Sequence, residues 1–407
     1  FSSLARAGKS ASSGRGGAKY VETLKYKSLR VGSKMLGVVS EITAKGLVMS
    51  LPNGLRGTVA RHETNDAYWK PRKKNARKDS LDDSESESAS ESEDDSASSD
   101  DEDDEEEPLV LDELFYPAQT LRCAVISLDK GKTGGKRIEL SLRLENVCKS
   151  VTKESLVEGS VIPAVVQSIE DHGYILGFGI SGTSGFLPKK NVSSDLAIRR
   201  GKMLDVIITG VPQGNKGYFT VTSDAKRVMG TVAHETSGTN ISTLLPGMLV
   251  NARVKQILAD GISVSFMTYF SGTVDCFHTG HVAASKGVQA AFKIGSRMRA
   301  RIIYVDSASK RICLTVLPHL LVNRPVELPK LGAVFQTAKV QRIDAGQGIA
   351  LSIDDGGEMV SGYAHVSQLS DERVEKVEKK FKVGKTVNVR VIGHRQLDGL
   401  VSLSLKM

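Results

Sequence analysis

The chain has 407 residues and a formal net charge of +8, with 5% aromatic residues against 39 glycines, a balance that favours several small turn-rich modules over one large core. Its apolar runs, such as Val161 to Val166, are strand-sized and fall short of the roughly 18 residues of a membrane helix, so no membrane partner is expected. Four cysteines, Cys123, Cys148, Cys276 and Cys313, are scattered without a CxxC pair, the pattern of reduced thiols in the nucleus or cytosol and not of a disulfide framework.

Residues 1–28 form a basic segment expected to be disordered. Phe1 to Lys19 is Ser/Arg-rich and free of acids, as transit peptides are, but a chain starting with Phe reads more simply as a piece cut from a longer one. From there a pattern recurs four times. Each unit opens on a glycine, in Leu29-Arg-Val-Gly32, Leu156-Val-Glu-Gly159, Leu244-Leu-Pro-Gly247 and Pro329-Lys-Leu-Gly332. An alternating apolar strand follows, at Val39 to Ile42, Val166 to Ile169, Val254 to Ile257 and Val340 to Ile343. A second strand starts on Gly46, Gly173, Gly261 and Gly348, and a third at Gly57, Gly185, Gly272 and Gly362. Two more strands close the unit, clearest at Met298 to Val305 with Arg311 to Val316 and at Val387 to Ile392 with Leu400 to Leu405, across the turn residues Asp306-Ser and Asp398-Gly. The expected architecture is all-β, a tandem array of four five-stranded barrels. The units are 29–147, 156–223, 241–316 and 331–407. Residues 317–330, with three prolines, either dock on a barrel or act as a stiff spacer.

The first unit is longer than the others because it carries an insert over 60–116. This insert joins a basic run, Lys70 to Lys78, to Asp79–Glu107, where 26 of 29 residues are Asp, Glu or Ser. Such a composition cannot bury enough apolar surface to offset its ordering entropy, so disorder is expected there. The basic run suits a nuclear localisation signal or a stripe touching RNA phosphate. Ser80, Ser84, Ser92 and Ser98 each have an acid three residues on, the spacing preferred by acidophilic kinases, and are candidate phosphorylation sites. A solubilising spacer is the plainer alternative. Asp79 to Glu113 holds 19 of the 47 acidic residues and none of the 55 basic ones, so the rest of the chain stands at 55 − 28 = +27. A body so basic points to a polyanionic partner.

The repeat resembles the S1 RNA-binding domain family, five-stranded barrels of the OB class, over nearly all of Leu29 to Met407. The strongest match is Gly362-Tyr-Ala-His-Val-Ser367, close to the family's Gly-x-x-His-x-Ser signature, and Gly185-Phe-Leu-Pro188 is similar to its other common form. Together with Ser50 to Gly57, Glu170 to Tyr174, Phe266 to Gly272 and the acidic insert, these features are similar to the amino-terminal part of the large multi-S1 proteins of eukaryotic pre-ribosomes. The resemblance implies a nucleolar RNA-binding scaffold of pre-rRNA processing and small-subunit assembly, with its barrels in an extended row. Its implied partners are pre-ribosomal RNA and ribosome assembly factors, with small nucleolar RNA as a further candidate. No cofactor, small-molecule substrate or enzymatic activity is implied.

OB barrels hold single-stranded RNA with a basic groove and stacking aromatics. The family's aromatics flanking the second-strand glycine are absent here, where Lys45 and Val48, His172 and Ile175, Asp260 and Ser263, and Gly346 and Ile349 stand. The remaining stacking candidates are His172, Tyr174 and Phe186 in unit two, and Tyr363 and His365, with Arg390, in unit four. Alternatively Tyr174, Phe186 and Tyr363 pack on their barrels, and His365 fastens its turn. Charge favours unit three, with nine Lys/Arg against three acids. There, alternation puts Arg253 with Lys255, and Arg299 with Arg301, on outward faces as candidate phosphate contacts. A solvated strand face is the bland alternative.

Other signals are weaker. Cys276, His278 and His281 lack the fourth ligand of a structural zinc site, so no metal is expected. Gly177 to Gly182 formally matches GxGxxG but leads into a strand, and Gly131-Lys-Thr133 lacks the upstream glycine of a phosphate loop. No catalytic grouping stands out. Two rival readings are an S1-array translation or plastid ribosomal factor, and a protein-docking scaffold whose barrels have lost RNA binding.

Overall fold

A computed structural model describes residues 20–65, 110–130, 135–192, 197–212, 217–236, 238–280, 287–344, 346–372 and 376–406. The acidic stretch, the basic run Lys70 to Lys78, the four candidate serines and His281 lie outside the described residues. The chain is all-β, and the longest helix among the described residues is Ala225–Gly230.

Unit one contributes β1 (Lys34–Thr43), β2 (Gly46–Ser50), β3 (Arg56–Ala60), β4 (Thr120–Lys130) and β5 (Lys136–Ser141). Unit two contributes β6 (Val161–Ile169), β7 (Gly173–Gly177), β8 (Ser184–Pro188), β9 (Met203–Gly210) and β10 (Phe219–Thr222). Unit three has β11 (Leu249–Leu258), β12 (Gly261–Phe266), β13 (Phe270–Asp275), β14 (Arg297–Asp306) and β15 (Arg311–Thr315). Unit four has β16 (Val334–Asp344), β17 (Gly348–Asp355), β18 (Glu358–His365), β19 (Thr386–Arg395) and β20 (Leu400–Ser404). The strands of units two and four each close into a five-stranded barrel. Those of units one and three share a ten-stranded sheet, in which each unit repeats the same ladder, first strand to second and fourth, third strand to fifth in parallel.

The repeating glycines have physical reasons. At the first position Gly32, Gly159, Gly247 and Gly332 all have φ between +83° and +87°, a left-handed turn that glycine adopts without the Cβ penalty. Each donates its N–H to the fourth strand, to the carbonyls of Val125, Ile208, Ile302 and Val391. At the second position the second strand passes so close to the third that a Cβ on Gly261 would stand 2.2 Å from the Val274 carbonyl oxygen. All four first strands also carry one extra residue, a bulge between Val39 and Glu41, Val166 and Ser168, Val254 and Gln256, and Val340 and Arg342, which bends the strand around its barrel.

The units pack on one another, which corrects the expectation of an extended row. β1 pairs antiparallel with β14 through Lys34 opposite Val305 and Met35 opposite Tyr304. The core cluster of unit one takes in Val165 and Met203 from unit two, Tyr304 from unit three, Leu317 and Leu320 from the connecting segment, and Leu397 from unit four. Burying an aliphatic side chain such as Leu397 contributes about 1.5–3 kcal/mol, so the units are held by core contacts and not by a surface touch. The connecting segment docks as well, with its His319 Nε2 3.0 Å from the Leu397 carbonyl.

Candidate nucleic-acid interface

Unit three presents a basic outer face. Along β12, β13, Val250 to Val254 of β11 and the first residues of β14 the side chains alternate, so Val250, Ala252, Ile262, Val264, Ala300 and Ile302 fill the core and Asn251, Arg253, Ser263, Ser265, Arg297 and Arg299 point out. The register sets Arg297 opposite Arg253, Arg253 opposite Ser265 and Ser265 opposite Ser271, one outward row across four strands. The next row runs from Gln256 through Ser263 to Thr273. On the other side Asn251 stands opposite Arg299. Arg253, Lys255, Arg297 and Arg299 are exposed. Arg253 uses its Nε on the Gly295 carbonyl at 3.1 Å, and among the described residues no carboxylate lies within ion-pair distance of Arg253, Arg297 or Arg299. Like charges directly opposite on a sheet are destabilising, so the Arg253–Arg297 pair makes this face a candidate for an anion.

Arg301 does not belong to it, which corrects the alternation argument. It is 8% exposed, and its guanidinium donates to the carbonyls of Gly247, Met229 and Leu321. Burial pushes its pKa down to about 10, with neighbouring Arg122 adding to the fall and Asp205 opposing it. Arg122 is itself buried, donating to the Pro246 carbonyl at 2.6 Å and pairing with Asp205 of unit two. These two arginines tie units one, two and three together. Arg297 takes the vacated place on the face. The alternation of Arg297, Arg299 and Arg301 along one strand contained that signal.

Unit four also departs from expectation. Tyr363 is 5% exposed, with Phe277 of unit three packed edge-on at 5.3 Å and the Arg395 guanidinium 5.2 Å from its ring centre. Burial drives its phenol pKa up. A ring so enclosed offers no face to a base, and Tyr363 is removed from the stacking set. His365 is exposed, and its Nδ1 accepts the Ser367 N–H at 3.2 Å and lies 2.9 Å from the Ser367 hydroxyl, so it fastens the turn after β18. Arg390 is exposed on β19, opposite Ser404.

In unit two Phe186 stands opposite Ile175 on the outer face, partly buried, while Tyr174 stands opposite core residue Leu187 and packs against the core. The two rings therefore lie on opposite sides of the sheet. A Cβ on Gly173 would stand 2.6 Å from the Phe186 ring, so the missing side chain makes room for that ring. His172 is exposed at the adjoining turn, and Tyr218, 52% exposed, was not singled out by sequence. Its signal was an aromatic in the fourth-to-fifth strand turn, where OB barrels meet ligand.

Of Cys276, His278 and His281, the first two are described. His278 is fully buried, 3.2 Å from the Thr315 hydroxyl and 3.5 Å from Asp398 of unit four, and burial pushes the Cys276 thiol up to about 12.

Residues 324–407 match the family model described as the RRP5 OB-fold domain. Along 95% of its length the chain is 33% identical to "rRNA biogenesis protein RRP5" of Arabidopsis thaliana, and 31% identical to "Protein RRP5 homolog" of Homo sapiens. It is 28% identical to "rRNA biogenesis protein rrp5" of Schizosaccharomyces pombe, again over 95% of the chain. The chain covers 19%, 20% and 22% of these three relatives, about a fifth of their length.

Proposed function

We propose, from the similarity of the chain to the RRP5 rRNA biogenesis proteins along 95% of its length, that it is an RNA-binding scaffold segment acting in pre-rRNA processing and early small-subunit assembly. Under this reading the ten-stranded sheet is two barrels joined through β1 and β14, giving four OB modules in all. They hold pre-ribosomal RNA and assembly factors in the nucleolus, within the small-subunit processome, with small nucleolar RNA as a further ligand. The observation that carries it is the unpaired row of Arg297 and Arg253 with Arg299 beside it on unit three, because a polyanion is the partner that relieves such a face. RNA phosphates are polyanionic and are held by Arg and Lys without regard to sequence.

The test is the salt dependence of single-stranded RNA binding. Replacing Arg253, Lys255, Arg297 and Arg299 by alanine removes four phosphate contacts, and each should lower the slope of log affinity against log salt by roughly 0.7. A quadruple variant with the wild-type slope would clear unit three of RNA contact. One observation favours a second reading, protein docking, for unit four. There Tyr363 is already covered by a neighbouring unit, and β19 with Arg390 remains as outward surface.

A further inference from the structure

The segment from Tyr20 to Arg30 belongs to no barrel, yet it is fixed. Leu24 and Leu29 are buried in the core of unit one. Val21 is 4% exposed and reaches β12, with a methyl 3.0 Å from where a Cβ on Gly261 would stand. Arg311 of β15 donates to the Glu22 carbonyl at 2.6 Å and lies 3.6 Å from the Glu22 carboxylate. Between this strap and unit three runs a groove of about 620 Å3.

Its floor is hydroxylic, with Ser263, Ser271 and Thr273 from the outward rows of β12 and β13. Its rim is mainly cationic, the one lining carboxylate, Glu22, being paired with Arg311. Lys27 and Arg30 come from the strap and Lys310 from the turn between β14 and β15, all three exposed. Lys310 sits at φ +54°, a left-handed conformation that costs a non-glycine residue of order 1 kcal/mol and tends to persist at functional positions. Arg30 has Asp306 only at 3.9 Å, and its side chain is 60% exposed. The groove is contiguous with the arginine face, since Ser271 ends the row that starts at Arg297, and Ser263 and Thr273 form the next row. Apart from Tyr20 at its mouth, none of the residues lining it is aromatic.

We propose that this groove holds the sugar-phosphate backbone of single-stranded RNA, with Lys27, Arg30 and Lys310 contacting phosphates and Ser263, Ser271 and Thr273 hydrogen-bonding to phosphate or ribose oxygens. The binding track then runs from Arg299 across unit three to the strap, and the strap supplies half of its far wall. Hydroxyls and exposed cations, with Tyr20 the one ring in the lining, favour backbone over base, so the site tolerates many sequences. The inference rests on the RNA-binding reading above and adds a second stretch of contact to it.

The experiment uses the whole chain with a labelled oligouridine, titrated at several salt concentrations between about 50 and 200 mM. The variant K27A/R30A/K310A leaves Arg311 and Glu22 in place and so keeps the strap anchored, which the melting temperature checks. The salt slope is expected to fall by roughly 2, three contacts at about 0.7 each, and a triple variant at the wild-type slope would overturn the groove while leaving the arginine face intact. If the wild-type chain showed no salt-dependent RNA binding, the RNA reading itself would fall and the groove with it. Tighter binding of polyglutamate than of RNA of equal charge would replace RNA by an acidic protein ligand.

Discussion

Asp398 shows how much a single turn residue carries. It is 2% exposed, accepts the Asn53 N–H at 3.0 Å and lies 3.5 Å from His278, while Asn53 also donates to Asp275 at 2.7 Å. Units one, three and four meet there. Burial raises the Asp398 carboxyl above its ordinary range, against the pull of His278 and Arg395. A carboxyl that holds its proton more tightly folded than unfolded contributes stability below its unfolded pKa, and loses it as pH rises through the folded value. Asp398→Asn keeps an acceptor for Asn53 and removes the charge. It is expected to raise the melting temperature at pH 7 to 8, and to lose that advantage toward pH 4. Thermal unfolding across that range checks it, and a wild-type chain more stable than the variant at pH 8 would show that the His278 pair outweighs desolvation. In the sequence Asp398 read only as a turn residue beside Gly399, because its burial depends on two segments more than a hundred residues away.

At the scale of the strand, what was legible is what local sterics dictate. β2, β7, β12 and β17 begin at the glycines expected of them, since close approach to a neighbouring strand leaves a mark in the residue type itself. Outward alternation was legible too, for Arg253, Lys255 and Arg299. It failed at Arg301, because periodicity tells which side of its own barrel a residue takes and not what another unit lays over it. The same cause hid Tyr363, whose covering Phe277 is in unit three. Arg301 is accordingly structural. Arg301→Ala would leave the carbonyls of Gly247, Met229 and Leu321 without their donor, and should cost about 3 kcal/mol of stability. The salt slope of RNA binding should stay unchanged. Denaturant unfolding beside RNA titration separates the two, and a stable variant with a reduced slope would return Arg301 to the proposed RNA-binding face.

At the scale of the molecule the repeats gave the recurring strand pattern, and the charge balance suggested the kind of partner, but neither gave the packing. Shared core residues, the β1–β14 pairing and the arginines at the junctions bind the units into one body, so the surface open to RNA is decided by what the units leave uncovered. Unit three leaves its arginine face and the groove under the strap. Unit two leaves Phe186, His172 and Tyr218, and unit four turns Tyr363 inward. Crosslinking single-stranded RNA to the whole chain under ultraviolet light, with the modified peptides identified by mass spectrometry, tests this most directly. Crosslinks are expected on peptides containing Arg253, Arg297 and Lys310, and on the peptide containing Phe186. Crosslinks concentrated instead on the β18 peptide containing Tyr363, with unit three unmarked, would contradict the account.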